Sequence, residues 1–192
     1  MFLRLEWINQ KKFIDYLNRD NERAELSIIW YKLLNAIWEG NCIVSPNSFH
    51  GLLRTYAPDL GNFGQNDVQE FIIFLVDNLH EIHSKKVKIT IDGKIVNEID
   101  RLAYESMKVW KQYFKDSYSK IIELFYEQIV STFRTMDGKV LSRNYDPLCF
   151  FSLEIPRNIN NINIYDCFNL FTKVENLNGD NKYKSFNSSF YC

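Results

Sequence analysis

Cysteine is scarce in this sequence, and its spacing argues against the usual uses of the residue in small domains. Only four occur among 192 residues, at Cys42, Cys149, Cys167 and Cys192, and no two of them form a CxxC pair. Disulfide frameworks and zinc sites both need cysteines at closer, more regular spacing. The sequence therefore predicts no disulfide framework, no metal centre and no cofactor.

A membrane segment, a signal peptide and an excess of charge are missing as well. No window holds the roughly 18 uncharged apolar residues that a membrane span needs. The N-terminus, MFLRLEWINQKKF, lacks the apolar core of a signal peptide. The net charge of −1 creates no field that would attract nucleic acid or an anionic membrane. We therefore expect a soluble intracellular protein of the cytoplasm that binds neither.

The chain does have enough apolar side chains for a folded core, with 46% hydrophobic and 16% aromatic residues. Helical periodicity comes first and β-branched runs follow, which is typical of an α+β domain. We predict helices over residues 21–40, 101–114 and 163–171. A further helix should begin at Ser45, as N-cap, with Pro46 at the first helical position, and another should begin after Asp67. Hairpins are predicted at Asp92-Gly93 and Asp137-Gly138, and a strand over residues 149–156.

A polar cluster opens the helix that follows Gly64. Asp67 and Glu70 have the spacing of a capping box, in which each side chain bonds to a free backbone N–H of the first turn. The cap leaves Gln65, Asn66 and Gln69 unexplained, because a helix end needs one acceptor rather than a polar run. Behind the cluster, the helical spacing predicts a buried stripe of Val68, Ile72, Leu75, Val76 and Leu79.

This cluster resembles the QQD box of the ubiquitin-specific proteases, which are papain-like cysteine proteases that remove ubiquitin from proteins. The matching residues are Gln65-Asn66-Asp67-Val68-Gln69-Glu70-Phe71, followed by Leu75, Asp77 and Leu79-His80-Glu81. Four further segments match the family in the same order: IIWYKLLNAIWEGNCIVSPNSFHGLL, YSKIIELFYEQIVSTF, LCFFSLEIP and NIYDCFNLFTKVENLNGDNKYK. Tyr126 and Glu127 stand where the family strand usually has two glycines.

The resemblance implies one partial domain over residues 1–192 with the papain-like ubiquitin-specific protease fold. Residues 1–83 correspond to the helical thumb, and residues 84–192 to hairpins, a helix and the strands of the fingers and palm. In the family, the QQD-box carboxylates meet the arginine-bearing C-terminal tail of ubiquitin. Gln65, Asp67 and Glu70 are therefore the predicted ubiquitin-binding residues, and ubiquitin or a ubiquitinated protein is the predicted partner.

The family's catalytic cysteine lies in a box resembling Gly-Asn-Thr-Cys-Tyr upstream of the thumb, and its histidine lies after the fingers. Both boxes are expected to lie outside this chain, so no catalytic residue is assigned. Cys42 follows a similar Gly-Asn pair, but the Thr is missing and Ile43 replaces the aromatic residue. We interpret Cys42 as an ordinary buried cysteine.

Two possible metal sites are also rejected. His80 and His83 are one helical turn apart, but no third ligand is in view, and such a pair on an exposed face is usually solvated. The zinc of the family's fingers is held by two CxxC pairs. The matching positions here, residues 135–138 and 185–188, contain no thiol.

Three functional hypotheses remain open. The chain is a ubiquitin-binding protein that is inactive on its own, or a remnant that no longer binds. Alternatively, it is part of an active deubiquitinase whose missing boxes come from another chain, or whose ends have been lost from the sequence. Half of a papain-like fold is also expected to leave an apolar thumb face exposed.

Overall fold

The structure, a computed structural model, describes residues 17–39, 43–157 and 161–178. The chain divides into two compact units, the first reaching Tyr126 and the second beginning at Glu127. Helices and strands are both present, which agrees with the predicted α+β class. The elements are α1 (Ala24–Glu39), α2 (Asn47–Tyr56), α3 (Val68–His83), α4 (Glu98–Phe114), α5 (Lys120–Phe125), β1 (Glu127–Arg134), β2 (Val140–Leu148) and α6 (Ile164–Phe171). No helix in these ranges is long and apolar enough to cross a bilayer.

Helices α1 and α3 form the centre of the first unit. Leu17, Ala24 and Ile82 pack together in the core, and Leu26 is completely buried. The backbone N–H of Asn18 donates to the carbonyl of Ile82 at 3.2 Å, which ties the entry to α1 to the end of α3. The predicted helix over residues 21–40 is thus observed, with its last predicted residue, Gly40, outside the described residues.

The apolar stripes of α1 and α3 are each buried at one end only. Leu75, Val76 and Leu79 of α3 are buried as predicted, whereas Val68 and Ile72 are exposed. In α1, Ile37 and Trp38 are exposed although they share the helical spacing of the buried residues. Periodicity identifies the apolar face, but the neighbouring elements cover only part of its length. The structure therefore leaves apolar side chains exposed at one end of each of these two helices.

A buried polar pair joins α1 to α3. The hydroxyl of Ser27 donates to Oδ1 of Asn78 at 3.4 Å, and both residues are about 1% exposed. The Asn78 amide nitrogen is buried and has no hydrogen-bond partner among the residues described. A polar pair inside an apolar contact disfavours any sliding of the two helices, because sliding would leave both groups unpaired.

Helix α2 begins one residue later than the sequence predicted. Pro46 occupies the N-cap position, Asn47 is the first helical residue, and no side chain caps the helix. The helix packs through aromatic rings, because the Phe49 ring lies 5.2 Å from Trp30 and 6.2 Å from Phe71. These contacts link α2 to both α1 and α3.

The predicted hairpin at Asp92-Gly93 does not form. Residues 86–96 adopt no regular structure, although Gly93 has the positive φ of 138° that favours glycine. The backbone of Lys85 pairs instead with Tyr118, in an isolated antiparallel bridge with N–H to carbonyl distances of 2.8 and 2.9 Å. The turn residues are thus compatible with a hairpin, but the chain before them pairs elsewhere.

Helix α4 begins three residues earlier than predicted because of a capping box. The side chain of Asn97 accepts from the backbone N–H of Asp100 at 2.9 Å, and the Asp100 carboxylate accepts from the N–H of Asn97 at 3.1 Å. Two free backbone donors at the start of the helix, the N–H groups of Asn97 and Asp100, are thereby satisfied. Phe114 is the buried residue of this helix, and its ring contacts Trp110 and Tyr126.

Helix α5 was not predicted, and its residues lie in the segment YSKIIELFYEQIVSTF, which resembles the family's strand entering the fingers. Ser119 caps it by accepting from the backbone N–H groups of Ile121 and Ile122. The side chains of both isoleucines are fully buried, and the helix packs on α3. The apolar pair Ile121-Ile122 fits a helix as well as a strand, and the cap at Ser119 decides for the helix.

The second unit contains the predicted hairpin at Asp137-Gly138. Strands β1 and β2 pair antiparallel from Glu127 opposite Leu148 to Arg134 opposite Val140, with an irregularity beside Arg134. Gly138 has a φ of +89°, a conformation that only glycine adopts without strain. The hairpin prediction is confirmed.

The predicted strand over residues 149–156 is not observed, because no neighbouring strand pairs with it among the residues described. Its Phe151 instead packs against helix α6, with ring distances of 5.9 Å to Phe168 and 5.3 Å to Phe171. Helix α6 itself was predicted, and a capping box of Asn163 and Asp166 begins it.

Candidate functional site

Asp67 caps α3 as the sequence predicted. Its Oδ1 accepts from the backbone N–H of Gln69 at 2.6 Å and from that of Glu70 at 3.4 Å. The reciprocal half of the predicted capping box is missing. The Glu70 carboxylate makes no hydrogen bond or ion pair with the part of the chain that the structure describes. The box is therefore only half formed, and Glu70 retains all its acceptor positions.

The polar residues before Asp67 hold the loop that leads into α3. Oδ1 of Asn62 accepts from the backbone N–H of Gly64 at 2.7 Å, and the Asn62 amide donates to the carbonyl of Asp59 at 2.6 Å. The Asn66 amide donates to the carbonyl of Leu60 and to Oδ1 of Asn62, both at 3.2 Å. Sequence reasoning left Asn66 unexplained, and its structural role is to brace this loop.

The same loop packs closely on α2 at Gly61. A Cβ atom at this position would lie 2.5 Å from both the backbone N and the Cα of Arg54, so only glycine fits. Beyond it, the Phe63 ring lies 5.0 Å from the ring of His50 and 5.7 Å from the guanidinium carbon of Arg54. The loop is therefore held by backbone, amide and ring contacts before α3 begins.

The three predicted binding residues all lie at this helix start and are exposed. Gln65 makes no hydrogen bond within the described residues, Asp67 is the N-cap of α3, and Glu70 lies on its first turn. Phe63 and Val68 are 88% and 69% exposed, so apolar surface lies on both sides of Asp67 in the chain. Carboxylates in this arrangement can accept hydrogen bonds from guanidinium or backbone N–H groups, while the apolar side chains contact neighbouring residues of a ligand.

His80 is held between two serine hydroxyls rather than on an open surface. Its Nδ1 lies 2.8 Å from Oγ of Ser119, and its Nε2 lies 3.2 Å from Oγ of Ser117. Because Ser119 already accepts two backbone N–H groups, its hydroxyl proton points to Nδ1, and we assign the tautomer protonated at Nε2. Burial lowers the pKa of His80, and the nearby carboxylates of Asp77 and Glu81 oppose that effect.

The expectation that His80 and His83 share an exposed face is wrong, because His80 is half-buried and His83 is buried. No group of three or more histidine, cysteine, aspartate or glutamate side chains suited to a metal ion occurs among the residues described. Ser119 is not placed to act as a nucleophile beside His80. It is 3% exposed, and its oxygen is occupied by the cap of α5.

No cysteine and histidine come together within either unit, as far as the described residues go. Cys149 and Cys167 belong to the second unit, which has no histidine, and Cys167 is buried. His50, His80 and His83 all belong to the first unit. Cys42 lies outside the described residues, as does the 185–188 half of the finger positions. The other half, residues 135–138, forms the turn of the hairpin.

Comparison with known proteins identifies the family. The family model described as ubiquitin carboxyl-terminal hydrolase matches residues 2–175. Human ubiquitin carboxyl-terminal hydrolase 2 is 34% identical over 174 residues, which cover 88% of this chain and 28% of the human protein. The protein of the same name from Gallus gallus is 30% identical over 164 residues, or 83% of this chain and 46% of the chicken protein. Ubiquitin carboxyl-terminal hydrolase 21 from Bos taurus is 27% identical over 177 residues, which cover 82% of this chain and 31% of the bovine protein.

The chain belongs to the ubiquitin carboxyl-terminal hydrolase family, and the resemblance inferred from its motifs is confirmed. Membership implies a papain-like fold, with which the observed mixture of helices and strands is consistent. The chain matches between 28% and 46% of the length of the human and chicken relatives.

Proposed function

We propose that this chain binds ubiquitin through the start of α3 and does not cleave it on its own. The observation that carries the proposal is the Glu70 carboxylate, which is exposed on the first turn of α3, next to the helix cap formed by Asp67. In the family that the chain belongs to, this box meets the arginine-bearing tail of ubiquitin. Gln65, Asp67 and Glu70 are the proposed contacts.

The geometry supports binding because the backbone that carries the two carboxylates is held before a ligand arrives. The Asn62 and Asn66 side chains brace the loop, and the Asp67 cap sets the first turn of the helix. Charge-assisted hydrogen bonds contribute about 1.5–3 kcal/mol each when the partners are well placed. Association itself is costly, so two or three such bonds produce weak binding, and a preformed site keeps the ordering cost low.

The absence of intrinsic cleavage is proposed from the distribution of reactive groups. A papain-like mechanism needs a cysteine, a histidine and an oxyanion donor in contact. Neither unit brings a cysteine and a histidine together among the described residues. Cys167 is also buried, which is a poor environment for a thiolate nucleophile.

The proposal is tested by titrating labelled ubiquitin into the purified chain, beside a ubiquitin that lacks its C-terminal tail. Glu70→Gln removes a charge without touching the cap, and Asp67→Asn removes a charge while keeping a side chain that caps equally well. Each is expected to weaken binding about three- to tenfold, because a neutral hydrogen bond to the amide replaces a charge-assisted bond about twice as strong. Glu25→Gln, on the first turn of α1, is the matched control and should leave binding unchanged.

The outcomes separate the three hypotheses. Tail-dependent binding, lost stepwise in the two variants and without labelling by a ubiquitin active-site probe, supports the proposal. A folded chain that binds neither form of ubiquitin is a remnant. Labelling by the probe at any cysteine reveals a catalytic centre and overturns the non-catalytic assignment.

A further inference from the structure

Residues 85–96, between α3 and α4, are hydrogen-bonded to the described part of the chain only near their two ends. The segment is fixed at its start by the Lys85–Tyr118 bridge and by the N–H of Val87, which donates to the carbonyl of Lys115 at 2.9 Å. At its end, the N–H of Val96 donates to the Asp100 carboxylate at 2.9 Å. Between these ties, residues 88–95 make no hydrogen bond within the described part of the chain. Their backbone groups depend on solvent or on a partner.

The first half of this segment has the side-chain pattern of a strand. Val87, Ile89 and Ile91 are half-buried, whereas Lys88 and Thr90 between them are exposed. This alternation places one face on the protein and the other in solvent. β-Branched residues also favour the extended chain. Residues 87–91 therefore have the burial pattern of a strand, although no neighbouring strand pairs with them among the described residues.

The direction of the known hydrogen bonds tells which edge is open. In an extended chain, the backbone groups of alternate residues point to opposite edges. Lys85 and Val87 use their groups toward Tyr118 and Lys115. By the same alternation, an extended segment directs the N–H and C=O groups of Lys88 and Thr90 to the other edge, and no backbone of the described ranges is paired with them.

Charge determines what this edge attracts. Three lysines, at positions 86, 88 and 94, and one aspartate, Asp92, lie between Lys86 and Lys94, counting both ends, and Lys85 directly precedes them. Lys86 pairs with Asp116 at 3.1 Å, whereas Lys88 and Lys94 have no ion-pair partner among the described residues. A second copy of the segment would add more positive charge, and lysines at a strand edge typically oppose self-pairing. Glutamate or aspartate on an incoming strand would pair with Lys88.

We propose that residues 87–91 are a docking edge for an extended acidic peptide, which adds to the protein as a strand. The backbone of Lys88 and Thr90 pairs with the peptide backbone, and Lys88 and Lys94 attract its carboxylates. Strand addition of this kind draws affinity from main-chain hydrogen bonds and specificity from alternate side chains. The site is independent of the proposed ubiquitin contacts at the start of α3.

The probe is a fluorescent peptide of about eight residues that alternates glutamate and valine. One control peptide has lysine in place of glutamate, and another carries methyl groups on alternate backbone nitrogens, which cannot donate to a ladder. The acidic peptide is expected to bind the whole chain and to slow amide exchange at Lys88 and Thr90 about tenfold or more. Neither control peptide should bind.

Protein variants complete the test. Lys88→Glu reverses the charge at the exposed edge and should lower the affinity for the acidic peptide about five- to tenfold. Lys173→Glu makes the same charge change on an exposed residue of the second unit and should have no effect. Equal binding of all three peptides, binding unaffected by Lys88→Glu, or a chain that dimerises through this segment and ignores the peptide would each overturn the proposal.

Discussion

At the residue scale, Asp67 can be changed in a way that separates the helix cap from the charge. Asp67→Ala removes the acceptor for the backbone N–H groups of Gln69 and Glu70, so the free energy of unfolding should fall by about 0.5–2 kcal/mol. Asp67→Asn keeps a capping oxygen and should stay within a few tenths of a kcal/mol of the parent. Urea unfolding of the two variants measures the difference. Equal losses in both would show that the charge, not the cap, stabilises the helix.

His80 should make stability depend on pH. Burial lowers its pKa below the usual 6.5, so in acid the unfolded chain takes up a proton that the folded chain resists. This contribution is complete above about pH 6.5 and is lost as the pH falls below it. We expect the free energy of unfolding to drop as the pH is lowered through this range, and to drop less in His80→Asn. A parallel decline in both proteins would assign the effect to other groups.

At the scale of elements, replacing either of two glycines near α2 with alanine should change stability in opposite directions. Gly61→Ala forces a Cβ against the backbone of Arg54, so it should lower stability by about 1–3 kcal/mol. Gly51 lies inside α2, and a Cβ added there would have no heavy atom within 4 Å, so Gly51→Ala should raise stability by about 0.5–1 kcal/mol. Thermal unfolding of both variants compares them. A neutral Gly61→Ala would mean that the loop moves away from α2 without cost.

Helices were predictable here because their bonds are local, whereas strands were predictable only where turn and partner agreed. The spacing of apolar residues located α1, α3 and α6, and Asp137-Gly138 located the hairpin. The strand-like runs before Asp92 and at residues 149–156 have the right residues but find no partner strand within the described ranges. A β-ladder depends on a second segment far along the chain, and no pattern inside the first segment identifies it.

The start of α3 shows the same limit at the candidate site. The sequence located Asp67 as the cap because that bond spans two or three residues. It could not show that Glu70 stays outside the capping box, since either rotamer satisfies the pattern. The hydrogen bonds of the Asn66 amide with Leu60 and Asn62 could not be predicted from the sequence either, because they depend on how the loop folds back.

At the scale of the whole molecule, the two units should differ in local stability. Twelve of the thirteen core residues that the described ranges contain belong to the first unit, and Cys167 alone to the second. A two-stranded hairpin is marginally stable without a larger core. Amide exchange should therefore be faster in β1 and β2 than in α3. Uniform protection across both units would show that they unfold as one.

The bridge between Lys85 and Tyr118 has a consequence for how the chain can vary in length. It brings together the two ends of residues 86–117 directly beside the contact of α5 with α3. The position of α5 on α3 is therefore fixed by the Lys85–Tyr118 bridge, and it does not depend on how many residues lie between Lys85 and Tyr118. Extra residues inserted after Gly93 cost only the entropy of a longer loop, about 0.6 kcal/mol for each doubling. The loop at Asp92-Gly93 is thus a position where a reporter or an additional module can be inserted without displacing the helical core.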